Sequence, residues 1–217
     1  MTREGTAANG SDAGQSHDLA AQFGQIDVYL FDQLLRGRIQ PGMRVLDAGC
    51  GRGRNVVYLL RTGFDVHGVD RDRGAIAAVR SLATRLASAA AARRFRVADL
   101  AALPYRDRTF DLVIANAVLH FAPDQATFHT WLQELWRVMA PGAILFVRTA
   151  SSVGIENQIR PVGNGRFALP DGTVRFLVSD EHFRQITQQL GSVPLDPIKT
   201  TVVHGQRAMT TWCAQRR

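Results

Sequence analysis

Apolar positions along the chain fall into helical and strand-like periods that alternate. Leu19, Phe23, Ile26, Leu30, Leu34 and Leu35 recur at three- and four-residue steps, which predicts one amphipathic helix over residues 18–38, stopped by Gly37 and Pro41-Gly42. A short apolar run then ends at Asp47, the pattern of a strand buried on both faces. Val56, Leu59 and Leu60 predict a helix over 55–61, residues 64–69 a strand ending at Asp70, and Ile76, Val79, Leu82 and Leu86 an Ala-rich helix over 74–92. Strands follow at 95–98 and 110–115. Next comes a helix over 127–139 with Phe128, Trp131, Leu132, Leu135, Trp136 and Met139 at core spacing, and then a Pro141-Gly142 turn into a strand over 143–149.

Beyond residue 150 the pattern weakens. Residues 150–172 shift to Ser, Asn, Gly and Pro, and read as a long loop of the kind that serves as a lid or substrate wall, an insertion extending to about 178. Ser179 caps a helix over 180–190, and 198–204 and 208–214 alternate as two strands joined at Gly205-Gln206. The expectation is an α/β fold with a doubly wound, mostly parallel seven-stranded sheet that ends in an antiparallel hairpin. Residues 1–16, rich in Gly, Ala, Ser and Asn, are expected to be a disordered tail, and 17–217 a single domain. Within it, residues 17–40 are read as a helix along the cleft, with Tyr29 as the polar tip of an apolar face; simple packing is the alternative.

Composition narrows the setting. A hydrophobic fraction of 46% over 217 residues is enough for a sizeable core. No apolar run nears the ~20 residues of a membrane span, and the first 16 residues lack the apolar centre of a signal peptide, so a soluble, cytoplasmic protein without a membrane partner is expected. Cys50 and Cys213 form neither a disulfide framework nor a metal-ligand set, and no metal site is expected. The net charge of +7 and pI near 10.6 raise a nucleic-acid partner. Against it, the arginines are scattered, their longest runs are pairs, and Lys199 is the only lysine. An anionic substrate stays compatible.

The densest chemistry lies at 45–55, Val-Leu-Asp-Ala-Gly-Cys-Gly-Arg-Gly-Arg-Asn. Gly49, Gly51 and Gly53 strip every second side chain from a turn that leads from a strand end to a helix N-terminus, so backbone N–H groups can approach a ligand. A dinucleotide fingerprint would place its third glycine three residues after the second; here it comes two after, which weakens a pyrophosphate reading. Asp70, at the tip of the second strand, is placed to accept ribose hydroxyls, and Asp99, at the tip of the third, to accept from an adenine amino group. Each alone could be a helix cap or turn residue; their convergence with the glycine turn favours a nucleoside site. His120 follows the fourth strand, either as a structural hydrogen-bonding group or as a catalyst.

These residues resemble a family. Asp47-Ala-Gly49-Cys-Gly51-Arg-Gly53 is similar to the acidic-x-Gly-x-Gly-x-Gly motif of class I S-adenosylmethionine-dependent methyltransferases. Val69-Asp70, Ala98-Asp99-Leu100, residues 111–116 and Met139-Ala-Pro141-Gly142 fall where that family's later motifs fall, over about residues 45–149. Gly51-Arg-Gly53-Arg-Asn55, Tyr58-Leu and Gly63-Phe-Asp-Val also look like small tellurite-resistance-type methyltransferases. The resemblance implies a Rossmann-like sheet and S-adenosylmethionine as cofactor. It implies Gly49, Gly51, Gly53 and Asp47 around the methionine part, Asp70 on the ribose, Asp99 and the Leu100 N–H on adenine, and Asn116 near the sulfonium, with Cys50, Asn55 and Arg71 beside them. Tyr29 and His120 become candidates for the substrate side.

The implied reaction is in-line methyl transfer to a small-molecule acceptor, in which alignment supplies much of the rate and a base is needed mainly for a hydroxyl or protonated amine. RNA or protein methylation, or a cofactor-binding module without activity, stay as alternatives. A nicotinamide dehydrogenase lacks its glycine spacing and a lysine before Lys199. A base-amine methyltransferase would resemble its family by Asn/Asp-Pro-Pro-aromatic where this chain has Asn116-Ala-Val-Leu, and an arsenite methyltransferase needs more thiols than two. Oligomeric state and acceptor are not set by the sequence.

Overall fold

The computed structural model describes residues 18–217, so the tail expected over 1–16 lies outside the described residues. The elements run α1 (Leu19–Phe23), α2 (Val28–Leu35), β1 (Arg44–Ala48), α3 (Val57–Arg61), β2 (Asp65–Asp70), α4 (Arg73–Leu86), α5 (Ala89–Ala92), β3 (Phe95–Val97) and β4 (Phe110–Asn116). They continue with α6 (Gln125–Val138), β5 (Met139–Ser151), β6 (Arg160–Gly163), β7 (Arg166–Ala168), β8 (Val174–Phe176), α7 (Asp180–Gln189), β9 (Val193–Pro194), β10 (Lys199–Val203) and β11 (Arg207–Gln215). The main sheet has the order β10-β11-β5-β4-β1-β2-β3, with the short β9 on β11 as an eighth strand. Strands β1 to β5 are parallel, and β11 runs antiparallel between β5 and β10.

Both faces of this sheet are buried, which is why its strands read as unbroken apolar runs. Val45, Leu112, Ile114 and Phe146 point to one face, against Leu30 of α2, Leu59 of α3 and Val79 of α4. Their neighbours Leu46, Val113, Ala115 and Leu145 point to the other, against Leu132 and Leu135 of α6 and Phe183 of α7. The helix starts obey local chemistry: Asp72 accepts from Gly74 N and Ala75 N, Asp124 from Thr127 N, and Ser179 from His182 N. The chain builds β1, β2 and β3 outward in one direction and then returns to lay β4 on the other side of β1. The strand order therefore reverses between β1 and β4, where a crevice opens at the carboxyl ends.

Four expectations need correction. The single helix over 18–38 is two helices, broken at Gly24, whose φ of +64° no helix accommodates; Asp27 restarts the chain by capping α2 through Tyr29 N. Pro141-Gly142 is a bulge inside β5 and not a turn before it. Phe110 pairs with Met139 and Leu112 with Ile144, and the extra residues are held by Gly142 N–H to Arg216 O at 2.9 Å. Residues 150–172 are not one loop, because β6, β7 and β8 form a second, three-stranded antiparallel sheet. Strand β6 is exposed throughout, so no alternation marks it, and the sheet is held by Phe176 stacked on Phe128 and by Leu169 and Leu177 buried with Ala150. The Ala-rich helix also divides, at Ser88, the cap of α5. Among the described residues no helix is long and apolar enough to cross a membrane.

Candidate functional site

The crevice at the strand reversal is floored by the glycine turn. After β1, Gly49 N–H and Cys50 N–H both donate to the Val69 carbonyl, at 2.8 and 2.9 Å, which folds the turn back against β2. Gly49, Gly51 and Gly53 have φ of +76°, +51° and +87°, open to glycine without strain. A Cβ at Gly49 would overlap Val118, and one at Gly53 would sit 2.6 Å from Val79 of α4, whereas at Gly51 it would meet nothing within 4 Å. Two of the glycines let the turn pack; the middle one leaves the floor bare.

Asp70 closes the second side. Its Oδ2 accepts from Gly51 N–H and its Oδ1 from Asp72 N–H, each at 2.9 Å, while capping of α4 falls to Asp72. The resulting cavity of about 300 Å³ is lined by six of the residues singled out from the sequence: Gly49, Gly51, Asp70, Arg71, Asp99 and Leu100. Asp99 Oδ1 accepts from Ala101 N–H at 2.8 Å. Ala98, Ala117, Val118, Phe121 and Trp131 complete the wall. Trp131, which helical spacing assigns to packing alone, also lines this cavity, and its Nε1 is buried without a hydrogen-bond partner.

The remaining candidates of this group stand behind the wall. Asp47 is buried, its Oδ2 has no partner, and burial pushes its carboxyl up to about 7. Cys50 is turned into the core beside Gly68 and Phe95, where burial raises its thiol far above the usual range. Asn55 is buried and its Oδ1 accepts from Asp27 N–H at 3.1 Å. Asn116 Oδ1 accepts from Arg54 Nη2 at 3.3 Å, and its Nδ2 is buried and unpaired.

A second cavity, of about 320 Å³, shares Ala117 with the first. Ala117 has φ of +58°, a left-handed conformation that costs a non-glycine residue roughly 1–2 kcal/mol, and its N–H donates to Arg148 O at 2.7 Å. Around it stand His120, Arg54, Arg148, Arg175, Arg207 and Asp171, with Ala150, Leu169 and Met209 as the apolar part. His120 is buried, and its Nδ1 accepts from Ala150 N–H at 3.3 Å, so the neutral ring carries its proton on Nε2. Burial, helped by the Arg175 guanidinium, pushes this imidazole down to about 4.

Tyr29 lines neither cavity. Its Oη is 2.6 Å from Thr201 Oγ1, and its ring lies under the Arg148 guanidinium, 5.2 Å from centroid to Cζ. Arg148 is held from below by Asp27, whose Oδ2 is 3.0 Å from Arg148 Nη1 and 3.5 Å from Arg54 Nη2. Asp27 and the four arginines went unmarked in the sequence reading. Asp27, three residues after Gly24 and one before an apolar helical period, carries the capping signal that would have located it.

Comparison with known proteins accords with this geometry. A family model described as a methyltransferase domain matches residues 46–147, from inside β1 to inside β5. A malonyl-[acyl-carrier protein] O-methyltransferase of Halorhodospira halophila is 42% identical over 122 residues, 54% of this chain and 38% of that protein. A ubiquinone biosynthesis O-methyltransferase of Bradyrhizobium diazoefficiens is 30% identical over 166 residues, 70% of this chain and 62% of its own length. This chain thus spans less than two thirds of either relative. The crystal structure of an S-adenosylmethionine-dependent methyltransferase from Methanosarcina mazei superposes with a TM-score of 0.69 at 20% identity, over 84% of this chain and 96% of that one.

Proposed function

We propose that this chain is a class I S-adenosylmethionine-dependent methyltransferase that transfers the methyl group of that cofactor in line to a small-molecule acceptor seated in the second cavity. The observation that carries this reading is the meeting of the two cavities at Ala117, one floored by the glycine turn and the other walled by the insertion and the terminal hairpin.

The residues of the first cavity fit the cofactor. Gly51 leaves room where any other residue would project, Asp70 and Asp99 offer carboxylate oxygens with lone pairs left over, and Leu100, Val118 and Phe121 give a flat base an apolar lining. Trp131 Nε1, on the wall of this cavity, is a buried donor without a partner, and Asn116 Nδ2 behind the wall is another. Asp70 is the residue for the ribose hydroxyls and Asp99, with Leu100 N–H, for adenine; Asp47, Cys50, Gly53 and Asn55 act by shaping the turn. When bound, the cofactor supplies a methyl carbon on a sulfonium, already an efficient leaving group, so the chain's task is to hold an acceptor in line and keep water away.

His120 serves as a hydrogen-bond donor through Nε2 and not as a base, because accepting a proton there would turn Nδ1 out of its bond with Ala150 N–H or charge a ring beside Arg175. Tyr29 supports Arg148. Incubating the full chain with S-adenosylmethionine and a panel of hydroxyl, amine, thiol and carboxylic acids, with release of S-adenosylhomocysteine as the readout, tests the reading. Release dependent on one acceptor class is expected; a chain that binds the cofactor but turns over none of the panel would leave the binding-module alternative standing.

The state of His120 also predicts a pH dependence of stability. Its folded value, about 4, lies below the ~6.5 of an unfolded histidine, so the residue adds stability that is fully present above pH 6.5 and is lost as pH falls toward 4. On the order of 2–3 kcal/mol is at stake. Urea unfolding between pH 7 and 4 is expected to fall less steeply for His120→Asn, whose Oδ1 can accept from Ala150 N–H, than for the parent chain. Parallel slopes would show that the imidazole is not held neutral.

A further inference from the structure

The second cavity carries more positive charge than its own fold uses. Arg54, Arg148, Arg175 and Arg207 reach it, and the carboxylates near them are Asp171 on the wall and Asp27 beneath. Asp27 is taken up by Arg148 and Arg54. Asp171 accepts at Oδ1 from Thr173 N–H and Oγ1, at 2.9 and 2.6 Å, and lies close enough to Arg207 and Arg175 to offset part of their charge without an ion pair to either, which leaves four guanidinium groups against two carboxylates. Among the described residues Arg175 and Arg207 form no ion pair: Arg175 donates to the Val174 carbonyl and lies 4.9 Å over the Phe121 ring. The Arg148 Nε is buried with no partner at all. Guanidinium groups gathered at one concave surface repel each other, and the buried Arg148 Nε has its donor unmet, costs that a bound anion reduces. The rest of the wall, Leu169, Met209, Val203 and Ala150, is apolar and calls for an organic body behind that charge.

We infer that the methyl acceptor is a small organic anion, whose carboxylate or phosphate is clamped by Arg175 and Arg207 with Arg148 at the cavity floor. This inference rests on the methyl-transfer reading and adds the substrate class. Arginine suits the task because its planar fork matches the paired oxygens of either group. Two features elsewhere in the site agree. A bound sulfonium cofactor would bring a further positive charge to the site, which an anionic acceptor would offset. And a carboxylate is a nucleophile without deprotonation, so an acid of this class can use a site whose histidine is held as a donor and whose wall carboxylate is already engaged.

Titration calorimetry of the full chain against matched probes tests it: benzoate and benzamide, succinate and succinamide, phenyl phosphate and phenol. The anions are expected to bind at least about tenfold more tightly than their neutral partners, and to lose most of that advantage between about 0.05 and 0.5 M salt. Arg175→Gln and Arg207→Gln are each expected to cost about tenfold in anion affinity with S-adenosylmethionine binding within about twofold of the parent chain. Preference for the carboxylates identifies an acid and preference for phenyl phosphate a phosphate ester; both support the clamp. Equal binding within each pair, no measurable binding of any anion, or anion affinity that survives both substitutions overturns it. So does an equal loss of S-adenosylmethionine affinity, which would give these arginines to the cofactor. The salt series on the parent chain decides even if a variant folds poorly. If S-adenosylmethionine itself fails to bind, the methyl-transfer reading falls; if it binds and the anion preference is absent, only the clamp falls.

Discussion

Asp70→Ala is expected to weaken S-adenosylmethionine binding by roughly 30- to 150-fold, the equivalent of about 2–3 kcal/mol. The carboxylate stands at the tip of β2 on the cavity wall, and hydrogen bonds from hydroxyls to a charged acceptor are each worth about 1.5–3 kcal/mol. Part of the loss comes through the turn, since Oδ2 also holds Gly51 N–H and Oδ1 holds Asp72 N–H. Asp70→Asn separates the two contributions: its one amide oxygen can keep Gly51 N–H in place while the charge is gone, and an intermediate loss of about tenfold is expected. Calorimetry gives both numbers, and near-parent affinity in the alanine variant would remove the ribose role from this residue.

The place of Asp70 beside the glycine turn could be read in the sequence because everything that sets it is local. A strand end, a glycine turn and the next strand end lie within 26 residues of one another, from Val45 to Asp70, and parallel pairing of β1 with β2 sets Asp47 beside Gly68 and Ala48 beside Val69. The same locality made the architecture legible: unbroken apolar runs buried on both faces, alternating with period-3.6 helices that carry Asp or Ser caps, leave few topologies open. What failed to show was assembled over distance. The arginine cavity draws on the segment after β1, on β5, on β8 and on β11, with spacings in sequence that follow no motif. An arginine on the three-residue β8 or at the start of β11 looks like any solvated charge until the hairpin and the second sheet face each other. That sheet was itself hidden, because β6 to β8 are short, and β6 buries nothing. The break at Gly24 was masked for the opposite reason: apolar residues continue at helical spacing on both sides of it, and only the positive φ, with Val57 packed where a side chain would go, shows that the chain turns there. Glycine spacing reported the turn it builds at residues 49–53, where three occur together, and was silent where one acts alone.

The break at Gly24 sets up the largest expected effect on stability, at Asp27. This carboxylate does two jobs from a position where its side chain is 4% exposed: Oδ1 caps α2, and Oδ2 is the counter-charge of Arg148, itself 19% exposed. Asp27→Ala removes the cap, worth about 1 kcal/mol, and strands a guanidinium whose Nε already lacks a partner, which for a buried pair costs about 3–5 kcal/mol. Water reaches Arg148 from the cavity and Arg54 is exposed, so the lower end of that range applies, and a total near 4 kcal/mol is expected, about 8–16 °C in melting temperature for a chain of this size. Asp27→Asn should keep the cap through its amide oxygen and lose mainly the charge. Combining Asp27→Leu with Arg148→Met is expected to destabilise far less than the two single losses added together, because neither charge is then left behind. Urea unfolding of the parent chain, Asp27→Leu, Arg148→Met and the double variant measures the cycle, with Asp27→Ala and Asp27→Asn alongside. An alanine variant within about 1 kcal/mol of the parent would mean that Arg148 is solvated as well without Asp27 as with it, and additive losses in the double variant would mean that the two side chains are neighbours and nothing more.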